Sequence, residues 1–193
     1  QTQQQPAAME AFVREAKESK DTVGGLCRVH VLGAPMGLGT CMIRSGGLDA
    51  RLAAAVMSIQ AFKSVEIGLG RAVAERWGSD VHDAISFDPS AEGTPSRGFV
   101  RETNHAGGIE GGMSNGQPIV VTGAMKPIST LLRGMSSVNL QTKQPEQSDY
   151  ERSDVCAASA ARVVMQPAVA FEIAAAVLEK FGGDSMDELR SRL

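Results

Sequence analysis

Residues 104–130 read NHAGGIEGGMSNGQPIVVTGAMKPIST, and the fold turns on how this run divides. Gly107, Gly108, Gly111, Gly112 and Gly116 crowd its first half. There the backbone must turn tightly or let another group come close, because glycine visits positive φ at little steric cost. From Pro118 to Thr122 the run becomes β-branched and of strand type. It ends at Lys126, followed by Pro127, Ile128 and the adjacent hydroxyls of Ser129 and Thr130. A glycine-rich mouth thus leads onto a rigid edge. One ammonium and two hydroxyls after a strand suit phosphate oxygens, and the same residues would also serve an ordinary turn.

The chain has 193 residues, of which 42% are hydrophobic, 21% charged and only 4% aromatic. That composition is neither disordered nor membranous and leaves Ala, Val, Leu and Met to fill the interior of one domain, or of half a larger one. A net charge of −3 supplies no basic field for nucleic acid, so none is expected as a partner. Cys27, Cys41 and Cys156 are odd in number and widely spaced, which suggests neither a disulfide framework nor a metal site. Residues 1–6 lack a basic-then-apolar leader pattern, and apolar runs such as residues 52–57 are too short to span a bilayer. A soluble cytoplasmic chain without a membrane partner is the expectation. The opening QTQQQ, without Met, suggests a piece of a longer polypeptide.

Outward from the opening run, residues 6–17 carry apolar positions at helical spacing. Residues 26–32 alternate, with Cys27, Val29 and Val31 on one face and Arg28 and His30 on the other, so His30 reads as a solvated strand residue. Residues 48–59 form an Ala-rich helix with Leu48, Leu52, Ala55, Val56 and Ile59 along one side. Residues 58–68 predict a strand with Phe62, Ser64 and Glu66 on one face and Lys63, Val65 and Ile67 on the other, which argues against a Lys63–Glu66 ion pair. Residues 71–77 are a short helical patch. Residues 78–103 form a long loop with one hairpin, in which His82 and Asp83 are adjacent and so point in different directions, against a catalytic dyad. Residues 136–142 predict another strand, followed by a polar connector over residues 143–150. The longest helix is expected over residues 154–181, with Ala157, Ala161, Val164, Ala168, Phe171, Ala175 and Leu178 as its apolar stripe and a kink or break near Val164 caused by Pro167. Gly182 and Gly183 stop it, and residues 186–193 add a short helix.

Arg152, Ser153 and Asp154 open that expected helix. Ser153 or Asp154 is a candidate N-cap, and the helix start with Arg152 beside it is also a candidate anion site. The sequence holds no Ser-His-Asp set, metal cluster, phosphate loop or GxGxxG fingerprint. The residues alone describe an anion-binding domain with a glycine-rich lid.

At DTVGG (residues 21–25), PMGLG (35–39), SIQAFKSVEIG (58–68), the opening run and RSDVCA (152–157), in that order, the sequence resembles the chorismate synthase family. The resemblance spans nearly the whole chain and covers the C-terminal half of such an enzyme. It implies that the N-terminal half, with the family's two catalytic histidine motifs, lies outside these residues, so His30, His82 and His105 do not take those roles. The implied fold is α+β, a β-α-β sandwich of antiparallel sheets around central helices, assembled as a homotetramer. The implied activity is a lyase reaction of the shikimate pathway of aromatic amino-acid biosynthesis, an anti 1,4-elimination of phosphate from 5-enolpyruvylshikimate 3-phosphate to give chorismate. It needs reduced FMN, with NADPH as a reductant for the flavin. By motif, Gln60, Ala61, Gly111, Lys126, Pro127, Ile128, Ser129, Thr130 and Arg152 line the FMN site, and Asp154 matches the acid near flavin N5. Gln166 and Pro167 stand where the family has a Glu and a small residue, and Leu69 where many members have Asp. A flavin- or phosphate-binding and oligomerisation module without activity by itself is the alternative for these residues, and residues 104–116, with little to close upon, are expected to be mobile.

Overall fold

The β-branched run after the glycines becomes the middle of the main sheet. In the computed structural model, which describes residues 4–193, strand β7 (Ile119–Met125) lies between β1 (Gly25–Val31) and β2 (Phe62–Ile67), antiparallel to both. Residues 1–3, where the reading for a leader pattern began, lie outside the described residues. Helix α1 (Gln4–Glu18) precedes the sheet, as its spacing predicts. On β1, Cys27 is buried and His30 exposed, as expected from the alternation.

Helices α2 (Leu48–Met57) and α4 (Ala158–Phe181) cover one face of this sheet. The core joins Leu48, Leu52 and Val56 of α2, Met165 and Val169 of α4, and Phe62, Ile119 and Val121 of the sheet. Each fully buried aliphatic side chain contributes roughly 1.5–3 kcal/mol. At the rim of this seam Arg51 of α2 donates to Glu172 at 3.0 Å and to Glu179 at 2.6 Å, both on α4. The expectation of an α+β fold with antiparallel sheets and central helices holds, and the other paired strands among the described residues are hairpins.

Several local expectations need correction. On β2 the register slips between Phe62 and Ser64, so Lys63 bulges out. A bulge places one extra residue on one strand, which breaks strict alternation and turns Phe62 onto the core side with Val65 and Ile67. Helix α4 begins at Ala158, with Ala157 as its cap residue at φ −104° and ψ 5°, and no side chain caps it. Ser153 and Asp154 are therefore not N-caps, and the helix-start anion site beside Arg152 falls away with them.

The stripe of α4 is also turned from the expected one. Ala161, Met165, Val169 and Ala176 are buried, whereas Val164, Phe171 and Leu178 are exposed at 52%, 72% and 53%. The helix runs unbroken through Pro167. By length and composition α4 is apolar enough to cross a membrane, unlike the short runs considered in the sequence, yet here one side packs on β1 and α2. Finally, the strand over residues 136–142 shrinks to β8 (Ser136–Val138). It pairs with β9 (Pro145–Gln147), inside the stretch read as a polar connector.

Residues 70–75 form a 3-10 helix, and α3 (Gly78–Val81) follows it. The expected hairpin of the long loop is β3 (Ile85–Phe87) with β4 (Phe99–Arg101), closed by an edge-to-face Phe87–Phe99 pair at 5.5 Å. Short strands β5 (Ile109–Glu110) and β6 (Met113–Ser114) lie within the glycine-rich run, and α5 (Met186–Arg192) ends the chain.

The glycine-rich run is bonded into the fold on every side. Val120 donates to Gly107 O at 3.1 Å, Leu48 to Gly112 O at 2.8 Å and Gly37 to Ser114 O at 2.7 Å. Asp83 anchors its start by accepting from Thr103 Oγ1, His105 N and Ala106 N at 2.5, 2.8 and 2.9 Å. Gly107, Gly108, Ile109, Ser114 and Asn115 are buried. The run is a packed lock between sheet and α2 rather than a cover awaiting a surface, because its glycines let backbones approach: a Cβ on Gly107 would lie 2.3 Å from Gly68 N.

Candidate functional site

The central strand delivers the anion-binding groups to one end of the sheet. Met125 faces Gly25 on one side and Phe62 on the other, so Lys126 leaves the sheet between both neighbours. Lys126 N donates to Ala61 O at 2.9 Å, which sets Gln60 and Ala61 beside it. Ala61 has φ 70°, a left-handed value unusual for a residue with a side chain. A turn forced there feeds directly into the bulge at Lys63. On the other side Gly24 is needed for close approach, since a Cβ there would sit 2.3 Å from Met125 O and 3.1 Å from Pro127 N.

The segment before α4 comes to the same end. Val23 N donates to Val155 O at 2.9 Å, and Ser153 meets Thr130 twice. Thr130 Oγ1 donates to Ser153 Oγ at 2.7 Å, and Ser153 Oγ donates on to Thr130 O at 3.3 Å. The hydroxyl proton of Thr130 is thereby committed, which the sequence could not indicate. Lys126, Ser129, Arg152 and Asp154 are exposed. Neither Lys126 nor Arg152 has an ion-pair partner among the described residues. Asp154 lines a small cleft of about 130 Å³ with Lys17, Lys20, Thr22, Thr130 and Tyr150.

Nine of the ten residues singled out by motif thus gather at this end: Gln60, Ala61, Lys126, Pro127, Ile128, Ser129, Thr130, Arg152 and Asp154. Gly111 does not. It follows β5 at the far end of β7, where Val120 pairs with Gly107 and Gly112 with Leu48. At about 3.4 Å per residue the length of β7 alone separates the two ends by roughly 20 Å. Gly111 instead lines an open cleft of about 710 Å³ with Thr40, Met42, Arg44 and Asp49. Sequence reasoning passed over Thr22, whose hydroxyl donates to Ile128 O at 2.5 Å. The sequence holds no signal for it beyond a hydroxyl two residues before Gly24, the glycine that lets residues 125–127 come close.

A third cleft of about 360 Å³ is lined by His82, Asp83, His105, Glu110 and Asp49. Burial pushes the Asp83 carboxyl up, but the bonds from Ala106, Thr103 and His105 outweigh it and hold the group below the usual carboxylate range. His105 Nδ1 lies 3.1 Å from Val81 O and 3.9 Å from Asp83 Oδ1. Asp83 is thus a backbone anchor for residues 103–106, and His82 is not its partner.

A family model described as chorismate synthase matches residues 1–178. The chorismate synthase of Geobacter metallireducens is 57% identical over 186 residues, covering 95% of this chain and 47% of that protein. That of Geobacter sulfurreducens is 55% identical over 184 residues, covering 94% and 47%. A solved crystal structure of a chorismate synthase superposes with a TM-score of 0.77 at 40% identity, over 96% of this chain and 46% of the other. The chain spans about half the length of these relatives. With a matching family model, close relatives and a shared fold, this chain belongs to the chorismate synthase family.

Proposed function

We propose that these residues form the C-terminal portion of one chorismate synthase domain, and that the end of the sheet carrying Lys126, Ser129 and Arg152 is its flavin and phosphate site. The single observation that carries this reading is the pair of exposed cations, Lys126 and Arg152, without an ion-pair partner among the described residues and brought to one strand end together with Gln60 and Ala61. The donor set fits the anionic tail of FMN. Lys126 acts as a point charge, Arg152 as a planar two-pronged donor, and Ser129 as a hydroxyl donor. Thr130 serves this set through Ser153, holding the turn in shape, and Pro127 and Ile128 fix its path.

The reaction proposed is loss of phosphate from 5-enolpyruvylshikimate 3-phosphate with removal of a hydrogen from C6, giving chorismate with no net redox change. Reduced FMN, when bound, supplies transient electron density to that elimination, and NADPH is the reductant proposed to maintain it. The Asp154 carboxylate, exposed beside Thr130 and Ser153, holds or moves a proton at the site, and Lys126 and Arg152 balance the charge of phosphate. A cytoplasmic homotetramer is the proposed setting. A second reading, a binding module without turnover by itself, is favoured by the exposure of Lys126, Ser129, Arg152 and Asp154.

Two measurements test the proposal. Titration with FMN, followed by quenching of flavin fluorescence, is expected to show binding that weakens on Lys126→Ala or Arg152→Ala. Under anaerobic conditions with reduced FMN and substrate, a chain of the relatives' full length carrying these residues is expected to release chorismate. Asp154→Asn is expected to slow that release while leaving the melting temperature in place, since Asp154 caps no helix. Absence of chorismate from the full-length wild-type chain refutes the activity, and loss of stability as the main effect of Asp154→Asn refutes the role given to that carboxylate.

A further inference from the structure

Residues 20–23 run between the turn at 126–133 and the segment at 152–155, and they bond to both. Towards the turn, Thr22 Oγ1 donates to Ile128 O at 2.5 Å and Arg133 N to Lys20 O at 3.3 Å. The Arg133 guanidinium also pairs with Asp21 at 2.6 Å, and Asp21 Oδ1 accepts from Thr22 N at 2.8 Å. Towards the other segment, Val23 N donates to Val155 O at 2.9 Å. The Ser153–Thr130 pair closes the third side. Three stretches far apart in sequence are thus tied to one another, and two of them carry Lys126, Ser129 and Arg152. Of the ties made by residues 20–23, that of Thr22 is the one made by a neutral side chain and reaches over 106 positions.

We propose that Thr22 is a positioning residue: its hydroxyl, by holding the Ile128 carbonyl, fixes the turn that carries Lys126 and Ser129 against the segment that carries Arg152. The assignment rests on the reading of this end of the sheet as the flavin and phosphate site. An exposed cation binds an anion well only if its approach is set in advance, because ordering a loose turn on binding subtracts from affinity. Ion pairs at the rim are screened and weak, so Asp21–Arg133 alone does not hold the turn, whereas a hydroxyl bonded to a half-buried carbonyl does.

The test is Thr22→Val, which keeps shape and deletes the hydroxyl, with Thr22→Ser as the variant that restores it. Hydrogen exchange on the chain without ligand is expected to quicken about tenfold in residues 126–133 of Thr22→Val, with β1 and α2 unchanged and Thr22→Ser close to wild type. FMN titration is expected to show the dissociation constant rising about three- to tenfold in Thr22→Val at nearly constant melting temperature. Unchanged exchange at residues 126–133 overturns the proposal, as does exchange that quickens evenly over the whole chain. The Lys126→Ala variant separates the two readings. If it leaves FMN affinity intact, the functional reading fails. If it weakens binding and Thr22→Val does not, the positioning role fails.

Discussion

Deleting the Asp83 carboxylate is the sharpest perturbation that the glycine-rich run offers. Its side chain is fully buried and accepts from Thr103 Oγ1, His105 N and Ala106 N. Asp83→Ala strands two backbone amides and one hydroxyl. With each bond to an ionised acceptor worth about 1.5–3 kcal/mol, and the donors partly able to reach water, a loss of about 3–4 kcal/mol is expected. Asp83→Asn keeps one acceptor but turns an amide group on a backbone N–H, so about 2 kcal/mol is expected. The pH dependence follows from the lowered carboxyl value, which the hydrogen bonds produce against the opposing effect of burial. The unfolded chain then takes up this proton more readily than the folded one. The stabilisation is complete above the unfolded value of about 3.9 and is lost as pH falls through the lower folded value. Urea unfolding at pH 7 and at about pH 3 measures both effects, and the gap between wild type and Asp83→Asn should narrow at the lower pH. A gap equal at both pH values, or a loss for Asp83→Ala below about 1 kcal/mol, refutes the anchor.

Two further outcomes are expected. Gly107→Ala should lower stability by at least about 2 kcal/mol, read from the urea midpoint, because the new Cβ meets Gly68 N at 2.3 Å and Gly68 Cα at 2.5 Å with φ at 63°. Pro167→Ala should raise the calorimetric melting temperature, worth about 1–3 kcal/mol, since the position is exposed within a continuous helix and alanine restores a backbone donor.

Strands were legible where burial is one-sided. Cys27, Val29 and Val31 alternate with Arg28 and His30, and β1 follows that pattern. On β2 the same rule misassigned Phe62, because a bulge is set by pairing with β7 and not by the strand's own residues. In α4 the periodicity could not choose a face: the helix is apolar nearly all round, and the stripe through Val164, Phe171 and Leu178 is as regular as the buried one through Ala161, Met165 and Val169. Packing against β1 and α2 decided it. Lys126 was legible as the cation at a strand end. Thr22 was not, because its role consists of one contact with a carbonyl 106 positions away.

The opening run therefore serves two separable purposes. Its glycines lock residues 104–116 between sheet and α2 at one end of β7, while its last five residues carry charge and hydroxyls at the other. A rigid strand joins the two, so a substitution at one end reaches the other only by unfolding the sheet. Changes at Gly107 or Asp83 should act on stability and leave the FMN dissociation constant of the folded fraction in place. Changes at Lys126 or Thr22 should do the reverse. Gly111 is the discriminating position between these ends. It is exposed, with open space where a Cβ would stand and φ at 58°, so its substitution strains only its own backbone. An effect of Gly111 on flavin affinity beyond that strain would require a second surface to carry it across roughly 20 Å to Lys126.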